Sequence, residues 1–211
     1  MKICGVTSVA QAGLVAELGV DAIGVNLVQG SPRRVTEDMA RDIARAVGGM
    51  PDGTGRGGVL VVAVVAGLPA EALQGLKERT GVGCLQLHGD EPDGVLEALL
   101  PHAYKAFRVG RREDVEAAER CPGAYVMVDA KVAGALGGTG HTFDWDLVVG
   151  LAQRRKLVLA GGLRPDTVAG AVARVRPYCV DVASGVESAP GVKDLGLVRD
   201  FLAAARSVAI A

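Results

Sequence analysis

The sequence predicts an α/β fold with eight parallel strands ringed by helices, one domain spanning residues 1–211. Three observations lead there. Short apolar runs rich in Val, Ile and Leu recur at near-regular intervals. Segments with helical spacing fill the gaps between them. Polar and glycine residues collect just past the C-terminal ends of the runs, where alternating β/α barrels carry their chemistry. Together these specify a (βα)8, or TIM, barrel.

The strands are expected at Lys2–Cys4, Asp21–Leu27, Val59–Val65, Gly83–Leu87, Tyr104–Val109, Ala124–Asp129, Leu157–Ala160 and Cys179–Ala183. Most are near-continuous apolar runs, which suits strands buried on both faces of a parallel sheet. Among the helices, Thr36 can cap one whose inner face is Met39, Ile43 and Val47. Pro165 suits a first helical position, followed by Val168, Ala171, Val172 and Val175. Asp194–Ser207 carries Leu195, Val198, Phe201, Leu202 and Ala205 on one stripe. An open doubly wound sheet is the alternative, and the even count of units favours closure. The glycine-rich segment 48–58 contains a nominal G-x-G-x-x-G at Gly53, Gly55 and Gly58. It follows a helix and opens a strand, the reverse of the dinucleotide-binding context, so it reads as a loop away from the chemistry.

Apolar residues make up 49 % and aromatics only 3 %, so the core must be aliphatic. Lys and Arg total 23 against 24 Asp and Glu, a formal charge of −1 that gives no field for nucleic acid or an anionic membrane. No run reaches the ~18 apolar residues of a membrane span, and no secretory leader is expected. Cys4, Cys84, Cys121 and Cys179 are scattered and form no CxxC pair. That spacing predicts free thiols in a cytoplasm and no metal site. The expected partner is a small molecule.

The strand ends gather the candidate chemistry. Cys4-Gly5 follows the first, Ser31-Pro32-Arg33-Arg34 comes after the second, and His88-Gly89 ends the fourth. Asp129 ends the sixth, with Gly137-Gly138-Thr139-Gly140 after it; Gly161-Gly162 follows the seventh and Ser184-Gly185 the eighth. Turns without side chains on two adjacent strands let backbone N–H groups approach an oxyanion, with helix N-termini behind them. That makes a phosphate cradle; otherwise they are merely tight turns. Cys4 serves as a base if a nearby cation lowers its pKa, or packs as a buried thiol. Asp129, in an apolar strand, holds a proton to donate, or else caps a helix or forms a loop salt bridge. Arg33 offers a fork of donors to a carboxylate or stands in solvent. His88 donates to a substrate or satisfies a backbone carbonyl. Cys84, Cys121 and Cys179 read as packing.

KICGVT, SPR, QLHGDE, VDA, GGTGHTFDW, LAGGLRPDTV and DVASGVESAPGVKD occur in this order from residue 2 to about 201. The ordered set resembles the phosphoribosylanthranilate isomerase family of tryptophan biosynthesis. The resemblance implies a barrel enzyme without cofactor that carries out an Amadori rearrangement of N-(5-phosphoribosyl)anthranilate. By that resemblance Asp129 is the general acid and Cys4 the base. Arg33 holds the anthranilate carboxylate, and His88 and Asp181 lie near the substrate. Gly138, Gly140, Gly161, Gly162, Ser184 and Gly185 serve the phosphate. A monomer or homodimer is expected. Two segments depart from the family pattern: Gly24-Val25-Asn26-Leu27 and Val64-Val65-Ala66-Gly67 lack the usual aromatics, here expected to line the anthranilate pocket. Asn26 is expected to offer a hydrogen bond there. Alternative readings are a paralogue acting on another N-glycoside phosphate and a non-catalytic barrel that binds a phosphorylated metabolite.

Overall fold

The computed structural model describes residues 1–50, 57–130 and 145–208. Its strands are β1 (Lys2–Cys4), β2 (Ala22–Asn26), β3 (Leu60–Val65), β4 (Cys84–Leu87), β5 (Ala103–Val109), β6 (Tyr125–Ala130), β7 (Lys156–Ala160) and β8 (Cys179–Val182). They hydrogen-bond in that order and close into a barrel, with β1 parallel to both β2 and β8. The helices are α1 (Val9–Glu17), α2 (Glu37–Val47), α3 (Ala70–Thr80), α4 (Asp93–Leu99), α5 (Arg112–Arg120), α6 (Asp146–Arg154), α7 (Val168–Val175) and α8 (Leu195–Arg206). None of the described helices is long and apolar enough to cross a membrane.

Local chemistry sets the helix starts. Thr36 Oγ1 accepts from Met39 N at 3.1 Å and opens α2 as expected. Asp194 Oδ1 accepts from Gly196 N and Leu197 N, so α8 has caps at Asp194 and Ser207. Pro165 does not begin α7. Thr167 Oγ1 accepts from Arg164 N and donates to Arg164 O, closing a turn that holds Pro165 outside the helix until Val168. Gly53 and Gly55 lie outside the described residues, whereas Gly58 stands just before β3 at its N-terminal end.

Strand side chains alternate between two layers. Ile3, Ile23, Val61, Leu85 and Leu159 point outward and pack against the helices in one large aliphatic core. Each such fully buried side chain contributes roughly 1.5–3 kcal/mol. Ala22, Val62, Tyr104, Met127, Val158 and Ala160 point inward and form a second cluster inside the barrel. Val25 and Val65 belong to the outer layer and are fully buried there. The missing aromatics therefore thin the packing between barrel and helices; they do not strip the pocket, as the sequence pattern suggested. The wall at that place is formed by Asn26, Val28 and Val64.

The barrel interior also holds charge. Lys2, Gln86 and Asp181 are almost wholly buried. Between β8 and α8 the chain adds a 3-10 turn (Ser184–Val186) and a small hairpin, β9 (Glu187–Ala189) with β10 (Val192–Lys193). The pattern did not reveal that hairpin.

Candidate active site

At the C-terminal end of the barrel lies a cavity of about 380 Å³. Cys4, Arg33, His88, Asp129 and Asp181 all line it, as do Gly161, Gly162, Ser184 and Gly185. Inward-facing positions at the ends of β1, β4, β6 and β8 thus converge on one mouth. Gly138 and Gly140 lie outside the described residues.

Cys4 sits opposite Gly24 in the β1–β2 register. A Cβ at position 24 would stand 2.6 Å from Cys4 Sγ, so only glycine leaves the thiol its place. Burial pushes the Cys4 thiol up, and the nearby ammonium groups of Lys2 and Lys193 pull it part of the way back. Gly24→Ala is expected to lower kcat by about 10²-fold, the usual cost of misplacing a reacting group by ~1 Å. Steady-state rates beside a melting curve check this, since wild-type turnover in the variant would show that the thiol has no required position.

Burial raises the Asp129 carboxyl above its ordinary range, and His88 offsets this only in part. His88 Nε2 lies 3.7 Å from Asp129 Oδ2. Burial also lowers the His88 pKa, and Arg108 and Lys2 push it the same way against Asp129, so the ring is neutral near pH 7. Asp181 Oδ2 accepts from Lys2 Nζ at 2.8 Å, while its Oδ1 is buried with no hydrogen-bond partner. Lys2 is held well above its ordinary value: burial opposes its charge, but Asp181 and Cys4 outweigh that penalty.

Arg33 is not free in solvent. Its Nε donates to Glu187 Oε1 at 2.8 Å and its Nη2 to Oε2 at 2.6 Å, a bidentate fork that leaves Nη1 outside the pair. Glu187 Oε1 also accepts from the enclosed Lys193 Nζ at 2.6 Å. Two cations around one carboxylate leave this wall with a net positive charge beside Cys4. Gly5, at φ +77°, lets the Arg33 stem pass where a Cβ would lie 2.5 Å from Cδ. Asn26 lines the cavity, and its Oδ1 is already taken by Val28 N at 2.8 Å.

The two glycine turns form one surface. Gly161 and Gly162 have φ of 92° and 65°, in the region that favours glycine. A Cβ on Gly185 would lie 2.0 Å from Leu163 O, so the turns after β7 and β8 touch through backbone. The helix end expected behind the second turn is the 3-10 turn at Ser184–Val186, because the hairpin delays α8. Of the other thiols, Cys121 is buried; Cys84 and Cys179 face a separate cavity of about 350 Å³ at the opposite end of the barrel.

Lys2, Gln86, Glu187 and Lys193 had no assigned role in the sequence reading. All four stood inside the quoted motifs, Lys2 in KICGVT, Gln86 in QLHGDE, and Glu187 and Lys193 in DVASGVESAPGVKD.

Comparison with known proteins converges on one group. The family model for N-(5'phosphoribosyl)anthranilate (PRA) isomerase matches residues 1–204. An N-(5'-phosphoribosyl)anthranilate isomerase of Myxococcus xanthus is 42 % identical over 213 residues, covering 99 % of this chain and 96 % of that one. The crystal structure of phosphoribosyl anthranilate isomerase from Thermotoga maritima superposes with a TM-score of 0.85 at 33 % identity, covering 98 % of both chains. A further crystal structure of the enzyme, in complex with reduced 1-(o-carboxyphenylamino)-1-deoxyribulose 5-phosphate, gives a TM-score of 0.83 at 31 % identity over 98 % of each chain. By family model, relatives and fold alike, this chain belongs to the N-(5'-phosphoribosyl)anthranilate isomerase family.

Proposed function

We propose that this chain isomerises N-(5'-phosphoribosyl)anthranilate with Asp129 as general acid and Cys4 as general base. The observation that carries the assignment is that both groups line one cavity whose floor is continuous with the paired glycine turns. Asp129 gives its proton to the ribose ring oxygen. The C1–O bond breaks as the anilino nitrogen lone pair forms a C1=N iminium. The iminium acidifies C2–H, so a modest base suffices, and the Cys4 thiolate takes that proton. The electrons of the C–H bond form the C1=C2 bond of an enolamine. This gains a proton at C1 and loses one from the C2 hydroxyl, leaving the amino ketone with an unchanged atom count.

Binding follows the charges. The phosphate rests on Gly161, Gly162, Ser184 and Gly185, with Gly138 and Gly140 assigned there from the resemblance alone. The free Nη1 end of Arg33 meets the anthranilate carboxylate on the positively charged wall. Asp181 Oδ1, buried and unsatisfied, accepts from a sugar hydroxyl, and the neutral His88 donates beside Asp129. No cofactor is needed in this scheme. The four free thiols fit a cytoplasmic enzyme.

Phosphoribosylanthranilate generated in place from anthranilate is fluorescent, and its signal is expected to decay on adding the enzyme. Binding without decay would overturn the acid–base assignment. Complementation of a tryptophan auxotroph tests the same activity in cells.

A further inference from the structure

Gln86 touches no substrate in the scheme above, yet it joins three polar side chains inside the barrel, Lys2, Tyr104 and His88. Its Oε1 accepts from Lys2 Nζ at 2.9 Å and from Tyr104 OH at 3.0 Å. An ammonium can only donate. The atom facing Lys2 must therefore be the amide oxygen, and the opposite end must be the NH2 group. That NH2 lies 3.0 Å from His88 Nδ1. A donor on the amide side requires an unprotonated acceptor on the ring. In a neutral imidazole the single proton is then on Nε2, the nitrogen that faces Asp129 Oδ2.

We propose that Gln86, clamped by Lys2 and Tyr104, is a positioning residue that locks His88 as the neutral Nε2–H tautomer aimed at Asp129. The consequence concerns the acid. When Asp129 carries a proton, Oδ2 accepts from the imidazole N–H and the proton resides on Oδ1, free for the substrate. With the other tautomer, the bare Nε2 lone pair would face the carboxyl and draw that proton to itself. The present 3.7 Å separation needs to close by only about 0.5–1 Å to reach hydrogen-bond range. This value for catalysis rests on Asp129 being the acid; the tautomer itself does not.

The test is the ¹⁵N spectrum of histidine-labelled enzyme at neutral pH. The chain has three histidines, His88, His102 and His141, and His88→Asn assigns the signal. The expected wild-type pattern is a protonated Nε2 and a bare Nδ1, with no Nδ1–H form. Gln86→Glu puts an acceptor against Nδ1, so the signal is expected to move to Nδ1–H or to imidazolium. Its kcat should fall with KM little changed, and by less than the roughly 10²-fold lower bound for losing a general acid. A wild-type Nδ1–H or imidazolium form, or a Gln86→Glu enzyme that keeps Nε2–H alone, overturns the clamp. If Gln86→Glu fails to fold, the wild-type spectrum decides. Full activity in Asp129→Asn alongside an intact Nε2–H signal would refute the acid assignment and leave the clamp standing.

Discussion

Asp129→Asn and Cys4→Ser are each expected to lower kcat by roughly 10²–10⁴-fold, the range for removing one positioned acid or base. Both changes nearly preserve shape, so thermal unfolding should stay close to wild type. The pH profile distinguishes the two roles. Burial lifts both Asp129 and Cys4, from ordinary values of 3.8 and 9.0, so the acid still titrates below the base. The productive form has a protonated Asp129 and an ionised Cys4, which is then a minority species. Between the two pKa values its population is constant. Below the Asp129 value thiolate is lost with no compensating gain of acid; above the Cys4 value the acid is lost with no further gain of thiolate. The profile of kcat/KM against pH is therefore a bell whose ascending limb belongs to Asp129 and whose descending limb belongs to Cys4. In Asp129→Asn the rate should follow the thiolate alone, rising up to the Cys4 value and then levelling with no descending limb. In Cys4→Ser it should follow protonated Asp129 alone, level at low pH and falling through the Asp129 value with no ascending limb. An Asp129→Asn profile that keeps the wild-type bell, with both limbs in place, would remove that residue from the reaction.

The scaffold was legible because strand and helix periods are local. The expected β1 matches residue for residue, and the other strands match to within one residue at each end. Position at a strand end likewise singled out Cys4, His88 and Asp129. What escaped the pattern is long-range or polar. Lys2 pairs with Asp181 across 179 positions, and Arg33 with Glu187 across 154, so no window of sequence shows either partner. In an apolar run such as CLQL, Gln86 looks like an interruption, and only the closed barrel reveals three polar neighbours around it. The pocket aromatics failed for a related reason. Which face a strand position takes depends on register, and a shift by one residue moves Val25 or Val65 from cavity to core. Glu187 was quoted within a motif but opens a hairpin too short to announce itself.

The largest stability effects are expected at the seam where the barrel closes. Lys2 and Asp181 are register partners on β1 and β8, and their side chains are only 3 % and 4 % exposed. Removing one partner leaves the other charge without compensation in the interior, so Lys2→Met or Asp181→Leu should each cost about 3–5 kcal/mol. Lys2→Met is the more damaging to the network, because Asp181 Oδ1 already lacks a partner and Gln86 loses its orienting donor. The double variant Lys2→Met/Asp181→Leu replaces a buried pair with apolar groups and should recover most of that loss. The two single effects are then strongly non-additive, as contacting groups are. Denaturant titration of the four proteins in the cycle measures this, and single losses below about 1 kcal/mol, the range of exposed pairs, would mean the pair is solvated. The recovered double variant should nonetheless be a poor enzyme. It lacks the cation that draws the Cys4 thiol down and the buried acceptor at the cavity floor. A seam that apolar side chains could close as firmly is held by charge because its carboxylate lines the site and its ammonium draws down the Cys4 thiol.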